Sequence, residues 1–515
     1  MQIPVLLGAS LAIRVAHAAT QATTVDLGYA TYEGSVNNAT GNIDFLGIRY
    51  AAAPTGTFRW KEPQPPKSTP GVQPANTLPN QCLQGAIGLQ PSSPLNPRSH
   101  TRRQSADLLP QSEDCLFLKG GYFGGGASVY NGNDLISQAG DGVVVVIIQY
   151  RLGIFGFLSS QKVHDGGDLN AGLLDQQFAL QWVQKYIDKF GGDPTRVTIW
   201  GESAGAGSVI QHIVANDGNT QPPLFHAAMT SSTYLPPQYA FNDRIPEQLF
   251  AEVADQSGCS AASDTLDCLR QADVDLLTEV NLNVTVSQFY GTCTFVPVID
   301  GQFITGRPTE LLRQGKINGE GLLAVTNSFE GSIFVNSSTA DTVTVEDYVP
   351  NLFPELTQEH IDAVSAQYAD LGAPIDQVRA IMGEAILICP TYLLLRAFDK
   401  GFKGEFAIPP ALHGNDVLYY FPTAIGDVSP PWNNTEFRNN FSQSFMNFVL
   451  AMDPNVKWDP SNSLPEWPTW TEGKRAEMLF NRTVSDVPVF RRVETDEDLL
   501  RRCDFWERMS AFTSQ

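Results

Sequence analysis

Residues 197–205 read Val-Thr-Ile-Trp-Gly-Glu-Ser-Ala-Gly, an apolar run that leads directly into a glycine-flanked serine. Val197 to Trp200 has the composition of a short strand, and Ala204 to Ala215 has the apolar content of a helix. Gly-x-Ser-x-Gly at such a junction is typical of a sharp turn that exposes the serine hydroxyl, and a Cβ at either glycine would clash there. We therefore expect Ser203 to be a nucleophile at a helix amino terminus, where partial positive charge favours an oxyanion.

The flanking sequence alternates strand-like and helix-like segments. Val143 to Tyr150 (VVVVIIQY) is a continuous apolar run that predicts a strand buried on both faces. Gly172 to Phe190 has apolar residues at helical spacing and ends at Gly-Gly-Asp-Pro. Further helical patterns fall at 358–371, 377–398 and 437–452. This order predicts an α/β fold with a parallel sheet, in one domain with long insertions.

Several motifs in a fixed order point to a family. Residues 190–209 (FGGDPTRVTIWGESAGAGSV) resemble the type-B carboxylesterase/lipase family. Other stretches agree: SEDCL from Ser112, YRLG from Tyr150, GLLDQ from Gly172 and PVIDG from Pro297. The resemblance, which runs from about Val25 to Trp506, implies an α/β-hydrolase fold: a central, mostly parallel sheet with long helical insertions, in a single domain of residues 19–515. It also implies an enzyme that cleaves small-molecule carboxylic esters through an acyl-enzyme on Ser203, with no cofactor.

A serine nucleophile needs a base, and the base needs a carboxylate that holds its tautomer. In this fold the chain order is serine, acid, histidine. His413, in His-Gly-Asn-Asp, matches the family's histidine site, and Glu330, which precedes Gly331, matches its acid loop. The resemblance thus implies Ser203, Glu330 and His413 as catalytic residues. Glu202, beside the nucleophile, keeps two interpretations: it tunes His413 electrostatically, or it only supports the turn.

The oxyanion hole is expected to use the backbone N–H of Ala204 and two glycine N–H groups, Gly120 and Gly121, from an upstream loop. Here the chain departs from the family pattern. A strand and its connection, on the order of twenty residues by that pattern, are missing between Cys115 and these glycines. The missing strand would lie beside the strand that carries the nucleophile, so its loss leaves backbone groups unpaired and displaces the hole.

Two explanations of this gap stay open. Either the sequence comes from a mis-joined gene whose natural product is complete, or residues 116–118 occupy the vacant place. The gap also keeps open an alternative to the enzyme: a catalytically impaired hydrolase fold that serves in binding. The intact set of three catalytic residues argues against that alternative.

The family pattern implies three disulfides and two structural ion pairs. These are Cys82–Cys115, Cys259–Cys268, Cys389–Cys503, Arg59–Glu113 and Arg151–Asp175. Cys293 would remain free, and no group of cysteines and histidines has the spacing of a zinc site, so no metal is expected.

The Cys82–Cys115 loop constrains the substrate. It contains no Phe, Tyr or Trp, the residues that bind a quaternary ammonium in cholinesterases, so choline esters are not expected. The middle of the loop, Pro94 to Gln104, is polar and basic, unlike the apolar lid of the lipases. We expect soluble esters of short or medium acyl chains, with a triacylglycerol lipase as the alternative.

Charge and targeting signals limit the partners and the compartment. The formal charge of −22 disfavours nucleic acid and anionic membranes. An apolar run at 3–13 followed by Ala16-His17-Ala18 predicts a signal peptide of residues 1–18, too short to anchor the protein in a membrane. We therefore expect a secreted protein. Asn-x-Ser/Thr sites for glycans begin at Asn38, Asn283, Asn336, Asn433, Asn440 and Asn481.

Overall fold

The computed structural model describes residues 23–96, 111–117, 130–423 and 430–515; the expected signal peptide lies outside them. The strands are β1 (Thr24–Asp26), β2 (Thr31–Glu33), β3 (Ser35–Val36), β4 (Ile43–Asp44), β5 (Val72–Pro74), β6 (Thr198–Glu202), β7 (Ala227–Ser231), β8 (Gly321–Asn327), β9 (Gly401–Phe406), β10 (Ala476–Arg482) and β11 (Pro488–Glu494). The α-helices are α1 (Gly132–Gln138), α2 (Gly153–Phe157), α3 (Gln161–Gly166), α4 (Ala171–Tyr186), α5 (Ala204–Gly218), α6 (Arg244–Gln256), α7 (Thr265–Gln271), α8 (Val274–Val286), α9 (Pro308–Arg313), α10 (Val345–Leu352), α11 (Gln358–Tyr368), α12 (Pro374–Gly383), α13 (Cys389–Ala397), α14 (Val417–Tyr420), α15 (Thr435–Ala451) and α16 (Glu497–Thr513).

The main sheet has six strands in the order β11-β10-β9-β8-β7-β6. Neighbours from β6 to β10 run parallel, and only β11 is antiparallel to its neighbour. The amino-terminal strands form two small sheets, β1-β2-β5 and β3-β4. Helices follow the strands and cover two apolar clusters. The predicted α/β-hydrolase class, a mostly parallel sheet with helical insertions, is confirmed.

Burial differs sharply across the sheet. Every residue of β7 and β8 is buried, whereas every residue of β6 is only half-buried. In the described part of the chain, β6 is hydrogen-bonded to β7 alone and forms the outer edge of the sheet. The strand that precedes Ser203 therefore lies at an edge and not at the centre.

The prediction of a buried strand at Val143 to Tyr150 is wrong. This segment belongs to no sheet among the described residues, and Val144 is 42% exposed. Its side chains still alternate: Val143 and Val145 pack against one apolar cluster, and Val146 and Ile148 against the other. The composition is that of a strand, but a strand needs a hydrogen-bonded neighbour, and no strand among the described residues pairs with this segment.

Residues 116–118 do not replace that strand in the part that is described. Leu116 is fully buried and the Phe117 carbonyl accepts the backbone N–H of Gln149, but neither residue belongs to a strand or pairs with β6. Leu118 lies outside the described residues.

The helical pattern predicted at 377–398 corresponds to the continuous helix Pro374–Ala397, in which a π-helical turn (Glu384–Ile388) joins α12 to α13. Its length and mean hydropathy of 1.6 would suffice to cross a membrane, but 83% of its most apolar window is buried inside the protein. Glu384, in its middle, accepts hydrogen bonds from Arg502 Nε at 2.7 Å and Tyr368 Oη at 2.7 Å. This is a core helix with a buried ion pair.

The covalent and ionic cross-links follow the family pattern. The structure contains the disulfides Cys82–Cys115, Cys259–Cys268 and Cys389–Cys503, and Cys293 is free. Both expected ion pairs form. Arg59 Nη2 lies 2.9 Å from Glu113 Oε2, and Arg151 Nη2 lies 2.7 Å from Asp175 Oδ1.

One of the six glycan sites conflicts with the fold. Asn440 is 4% exposed, its amide nitrogen donates to Glu436 O, and its amide oxygen accepts from Ser463 N and Leu464 N. The expectation for Asn440 is therefore wrong for the folded chain, because no glycan fits there. Asn38 and Asn433 are exposed, and Asn283, Asn336 and Asn481 are half-buried, so these five stay predictions.

Glu384→Gln removes the charge that balances Arg502 inside the core. We expect the free energy of unfolding to fall by about 3–5 kcal/mol, because a buried cation loses its partner. Asp498→Asn, in the exposed pair Arg501–Asp498, is the control and changes stability by less than about 1 kcal/mol. Urea unfolding measures both, and equal midpoints for the two variants would contradict the assignment.

Candidate active site

Ser203 occupies a strained turn between β6 and α5, with φ 55° and ψ −122°. A Cβ at Gly201 would lie 2.2 Å from the carbonyl carbon of Gly205, so only glycine fits at Gly201. The expectation of a similar clash at Gly205 is wrong, because its own Cβ would meet no atom within 4 Å. The tight approach of the two backbones holds the Ser203 side chain at the mouth of the turn.

The three predicted catalytic residues form one hydrogen-bonded chain. Ser203 Oγ lies 2.8 Å from His413 Nε2, and His413 Nδ1 lies 2.6 Å from Glu330 Oε2. The His413 side chain is 8% exposed and the Glu330 side chain is fully buried. The residues expected to act as nucleophile, base and orienting acid are thus brought together at hydrogen-bonding distance.

Strand ends position these groups. Ser203 directly follows β6, and its backbone N–H donates to Ser231 O at the end of β7 at 3.0 Å. Glu330 opens a short 3-10 turn just after β8, and His413 lies in the loop after β9. The backbone N–H of Phe329 donates to Ala411 O at 2.9 Å and joins the acid loop to the histidine loop.

Asn327, which hydrogen-bonds to two of the buried acids, was not among the residues expected in the site. Its backbone N–H donates to Glu330 Oε1 at 2.6 Å. Its side-chain amide donates to Asp416 Oδ1 at 3.0 Å and to Ser232 Oγ at 3.1 Å. Asn327 and Asp416 stand in the acid-loop and His-Gly-Asn-Asp motifs, so their positions were visible and their roles were not.

Two more groups contact the histidine. The ring of Phe334 meets the His413 ring edge-on, with centroids 4.9 Å apart. Glu202 Oε1 lies 3.4 Å from His413 Nε2, the nitrogen that faces Ser203. This distance favours the interpretation in which Glu202 tunes His413 electrostatically.

Burial and charge oppose each other at this site. Burial lowers the pKa of His413, but the charge and hydrogen bond of Glu330, with Glu202 and Asp416 nearby, outweigh it and raise the pKa to about 9. Withdrawal from water raises the pKa of Glu202 to about 7, although a quarter of its side chain is exposed and His413 opposes the rise. Burial likewise raises the pKa of Asp416 to about 6, against the hydrogen bond from Asn327.

The oxyanion hole is visible only in part. Ala204 is the first residue of α5 and is buried beside Ser203. Gly120 and Gly121 lie outside the described residues. Within the ranges that the structure describes, no group of histidine, cysteine and acidic residues could hold a metal ion.

The profile of the family described as "Carboxylesterase family" matches residues 21–119 and 117–506. The chain belongs to the carboxylesterase family. The two matching segments meet at residues 117–119, where the sequence lacks the expected strand. The break in the match thus coincides with the gap next to β6.

Individual carboxylesterase-family proteins align over most of the chain. Lipase 2 of Diutina rugosa is 29% identical over 498 positions, which cover 85% of this chain and 88% of that protein. Carboxylesterase patB of Aspergillus clavatus is 29% identical over 552 positions, which cover 94% and 96%. That alignment is longer than the 515 residues of this chain, so the relative has residues without a counterpart here.

The crystal structure of Aspergillus niger EstA superposes with a TM-score of 0.81 at 28% identity and covers 96% of this chain and 99% of that one. Together with the family match, this likeness makes the protein a serine hydrolase that cleaves carboxylic esters.

Glu202→Gln should shift the acid limb of kcat/KM to lower pH. With His413 as the expected base, its neutral form is the active one, and the Glu202 carboxylate stabilises the protonated form. Removing that charge lowers the pKa of His413, by roughly one unit or more at this distance. The pH profile on a soluble ester measures the shift. Glu279→Gln, which replaces an exposed acid on α8, is the matched control; an unchanged profile in Glu202→Gln would exclude the tuning role.

Proposed function

We propose that this protein is an extracellular esterase that hydrolyses soluble esters of short or medium acyl chains through an acyl-enzyme on Ser203. The observation that carries the proposal is the continuous chain of hydrogen bonds from Ser203 Oγ through His413 to Glu330. Nucleophile, base and orienting acid have the geometry that acyl transfer requires.

In this mechanism Ser203 Oγ attacks the ester carbonyl as His413 Nε2 takes the hydroxyl proton. The tetrahedral intermediate collapses, and His413 returns the proton to the leaving alcohol. Water, activated by the same nitrogen, then attacks the acyl-enzyme and releases the acid. Glu330 stabilises the imidazolium through Nδ1, and Glu202 faces the proton on Nε2.

Developing negative charge on the substrate oxygen is assigned to the backbone N–H of Ala204, at the start of α5, with Gly120 and Gly121 as the other donors. The helix amino terminus supports this assignment, because its partial positive charge favours an oxyanion.

Three disulfides support an extracellular location, because such bonds persist in oxidising compartments. We assign residues 1–18 to a signal peptide and residues 19–515 to one catalytic domain. Asn38 and Asn433, both exposed, are the best placed of the five remaining glycan acceptors.

A triacylglycerol lipase is the second candidate, favoured by the Diutina rugosa relatives named lipases. The polar and basic residues of Pro94–Gln104 favour an esterase instead. Rates on tributyrin below and above its solubility limit separate the two. We expect a hyperbolic curve that levels off before the emulsion forms; a steep rise at the limit would identify a lipase.

The decisive experiment is labelling with a serine-directed fluorophosphonate, followed by intact mass after deglycosylation. We expect one adduct per chain in the wild type and none in Ser203→Ala, because only an activated serine reacts. The protein should be secreted from its native gene. A mass about twenty residues above that of residues 19–515, the chain left after removal of the signal peptide, would mean that the missing strand exists in the natural product.

The other outcomes are equally informative. No adduct on a folded protein with the mass of residues 19–515 would overturn the esterase and favour a hydrolase fold that serves in binding. An adduct at that mass would mean that the nucleophile works without the missing strand.

A further inference from the structure

The last residues of the chain fold back onto the protein after α16. Ser514 has a left-handed backbone conformation, with φ 58° and ψ 37°, and it reverses the chain direction after Thr513. The backbone N–H of Gln515 donates to Ser510 O at 3.0 Å and holds this turn. Gln515 is only 4% exposed, although a polar side chain at the end of a chain is ordinarily solvated.

The buried amide of Gln515 is fully hydrogen-bonded. Its Nε2 donates to Leu235 O at 2.6 Å and to Ala385 O at 2.9 Å. Its Oε1 accepts from Thr513 Oγ1 at 2.8 Å. Rotation of the amide by 180° would set its oxygen against two carbonyls, so the orientation is fixed. Leu235 lies in the loop after β7 and Ala385 lies in the π-helical turn Glu384–Ile388, so one side chain connects that loop with the core helix.

The core helix lacks its own donors for two carbonyls near this turn. In an α-helix the N–H of Cys389 would donate to Ala385 O, but here it donates to Glu384 O. The next residue, Pro390, has no N–H. Pro390 is also the residue four positions after Ile386, where the α-helical donor for Ile386 O would lie. Both carbonyls therefore need donors from outside the helix.

Gln515 and the loop after β7 supply those donors. Gln515 Nε2 bonds to Ala385 O, and the backbone N–H of Leu235 donates to Ile386 O at 2.9 Å. Buried carbonyls are almost always paired in folded proteins, and here the pairing requires that the loop and residue 515 both stay against the helix. The π-helical turn is thus completed by two segments distant in sequence.

The loop depends in turn on the last two residues. In Leu235-Pro-Pro-Gln238 the two prolines have no N–H. The carbonyl of Leu235 accepts from Gln515 Nε2, and the N–H of Gln238 donates to Ser514 O at 2.6 Å. The bond from Gln238 N to Leu235 O that would close a local turn is therefore replaced by bonds to residues 514–515.

The same loop supports the nucleophile. The carbonyl of Ser231, the last residue of β7, accepts the N–H of Ser203 at 3.0 Å. Farther along, the side chain of Gln238 exchanges two hydrogen bonds of 2.8 Å and 3.1 Å with Gln211 on α5, the helix that follows Ser203. A displacement of the loop would therefore be transmitted to the turn that holds Ser203.

The core helix supports the acid by close packing. A Cβ at Gly331 would lie 2.0 Å from Arg379 O and 2.5 Å from Gly383 N, so the backbone of the acid loop rests directly on the end of α12. Gly383 immediately precedes the π-helical turn, and Gly331 follows Glu330. A displacement of the π-helical turn would therefore be transmitted to Glu330.

We propose that Gln515 is a positioning residue for ester hydrolysis. By holding the carbonyls of Leu235 and Ala385 at one amide nitrogen, it fixes the loop that supports Ser203 relative to the helix that supports Glu330. Gln515 touches none of the reacting groups and acts only through these two carbonyls. This inference rests on the proposed catalytic roles of Ser203 and Glu330.

The test compares Gln515→Met with the wild type on a soluble ester. Methionine keeps the approximate length of the side chain and removes both donors. Active sites are titrated with the fluorophosphonate, so unfolded molecules are not counted. We expect kcat per active site to fall about tenfold with KM within about twofold, because a misplacement of about 1 Å can cost roughly a hundredfold in rate. Gln358→Met, at an exposed glutamine on α11, is the matched control and should change neither constant.

Thr513→Val is a milder second variant, which decides the question if Gln515→Met does not fold. It removes the hydroxyl that orients the Gln515 amide and keeps both amide donors. We expect kcat per active site to fall about two- to threefold, in the same direction as the larger change. Both variants are also measured for their unfolding temperature.

Three results would overturn the proposal. An unchanged kcat per active site, with fewer active sites or a lower unfolding temperature, would mean that Gln515 serves the fold alone. A higher KM at constant kcat would mean that the loop acts on substrate binding and not on the catalytic groups. A wild type that the fluorophosphonate does not label would overturn the proposed function itself, and this inference with it.

Discussion

Parallel hydrogen bonding among β6, β7, β8 and β9 imposes the geometry on which the site depends. In register, Glu202 pairs with Ser231, Ser231 with Val325, and Asn327 with Phe406, so the carboxyl ends of the strands share one edge of the sheet. The loops that leave this edge carry residues far apart in sequence, and a short reach from each suffices to join them. The turn at Ser203 adds a local constraint, since a residue with a side chain at Gly201 would separate the strand from the helix.

Three carboxyl groups lie around the imidazole of His413, those of Glu202, Glu330 and Asp416, and they receive few hydrogen bonds. Asn327 donates its backbone N–H to Glu330 and its side-chain amide to Asp416, so one residue hydrogen-bonds to two of these acids. Withdrawal from water is the main reason that the pKa values of Glu202 and Asp416 are raised, and the neighbouring carboxylates add to it. The excess of negative charge is favourable when the imidazole carries a proton, which is its state midway through acyl transfer.

Predictions from the sequence succeeded where a local pattern has a chemical cause. They failed where the structure of a segment depends on contacts with residues that are distant in sequence. Ser203 and its strand-turn-helix context could be predicted because the turn admits only glycine at Gly201. The family motifs led to His413 and Glu330, which lie far from Ser203 in sequence. Residues 143–150 (VVVVIIQY) have the composition of a buried strand, yet a strand forms only beside a hydrogen-bonded neighbour, and no strand among the described residues pairs with them. The pattern around Asn440 is a valid acceptor motif, but burial is a tertiary property that three residues do not encode. Asn327 escaped notice because its importance comes from what surrounds it.

Because β6 is only half-buried, we expect the catalytic activity to be lost before the overall fold unfolds. Proteins open locally at a lower free-energy cost than they unfold globally, and outer strands are among the first segments to open. Ser203 directly follows such a strand, while β7, β8 and the helix Pro374–Ala397 form a buried interior braced by the Cys389–Cys503 bond. On warming, the protein should therefore lose its catalytic competence while its circular dichroism still looks native. The time for which the secondary structure persists would therefore exceed the time for which the protein stays active.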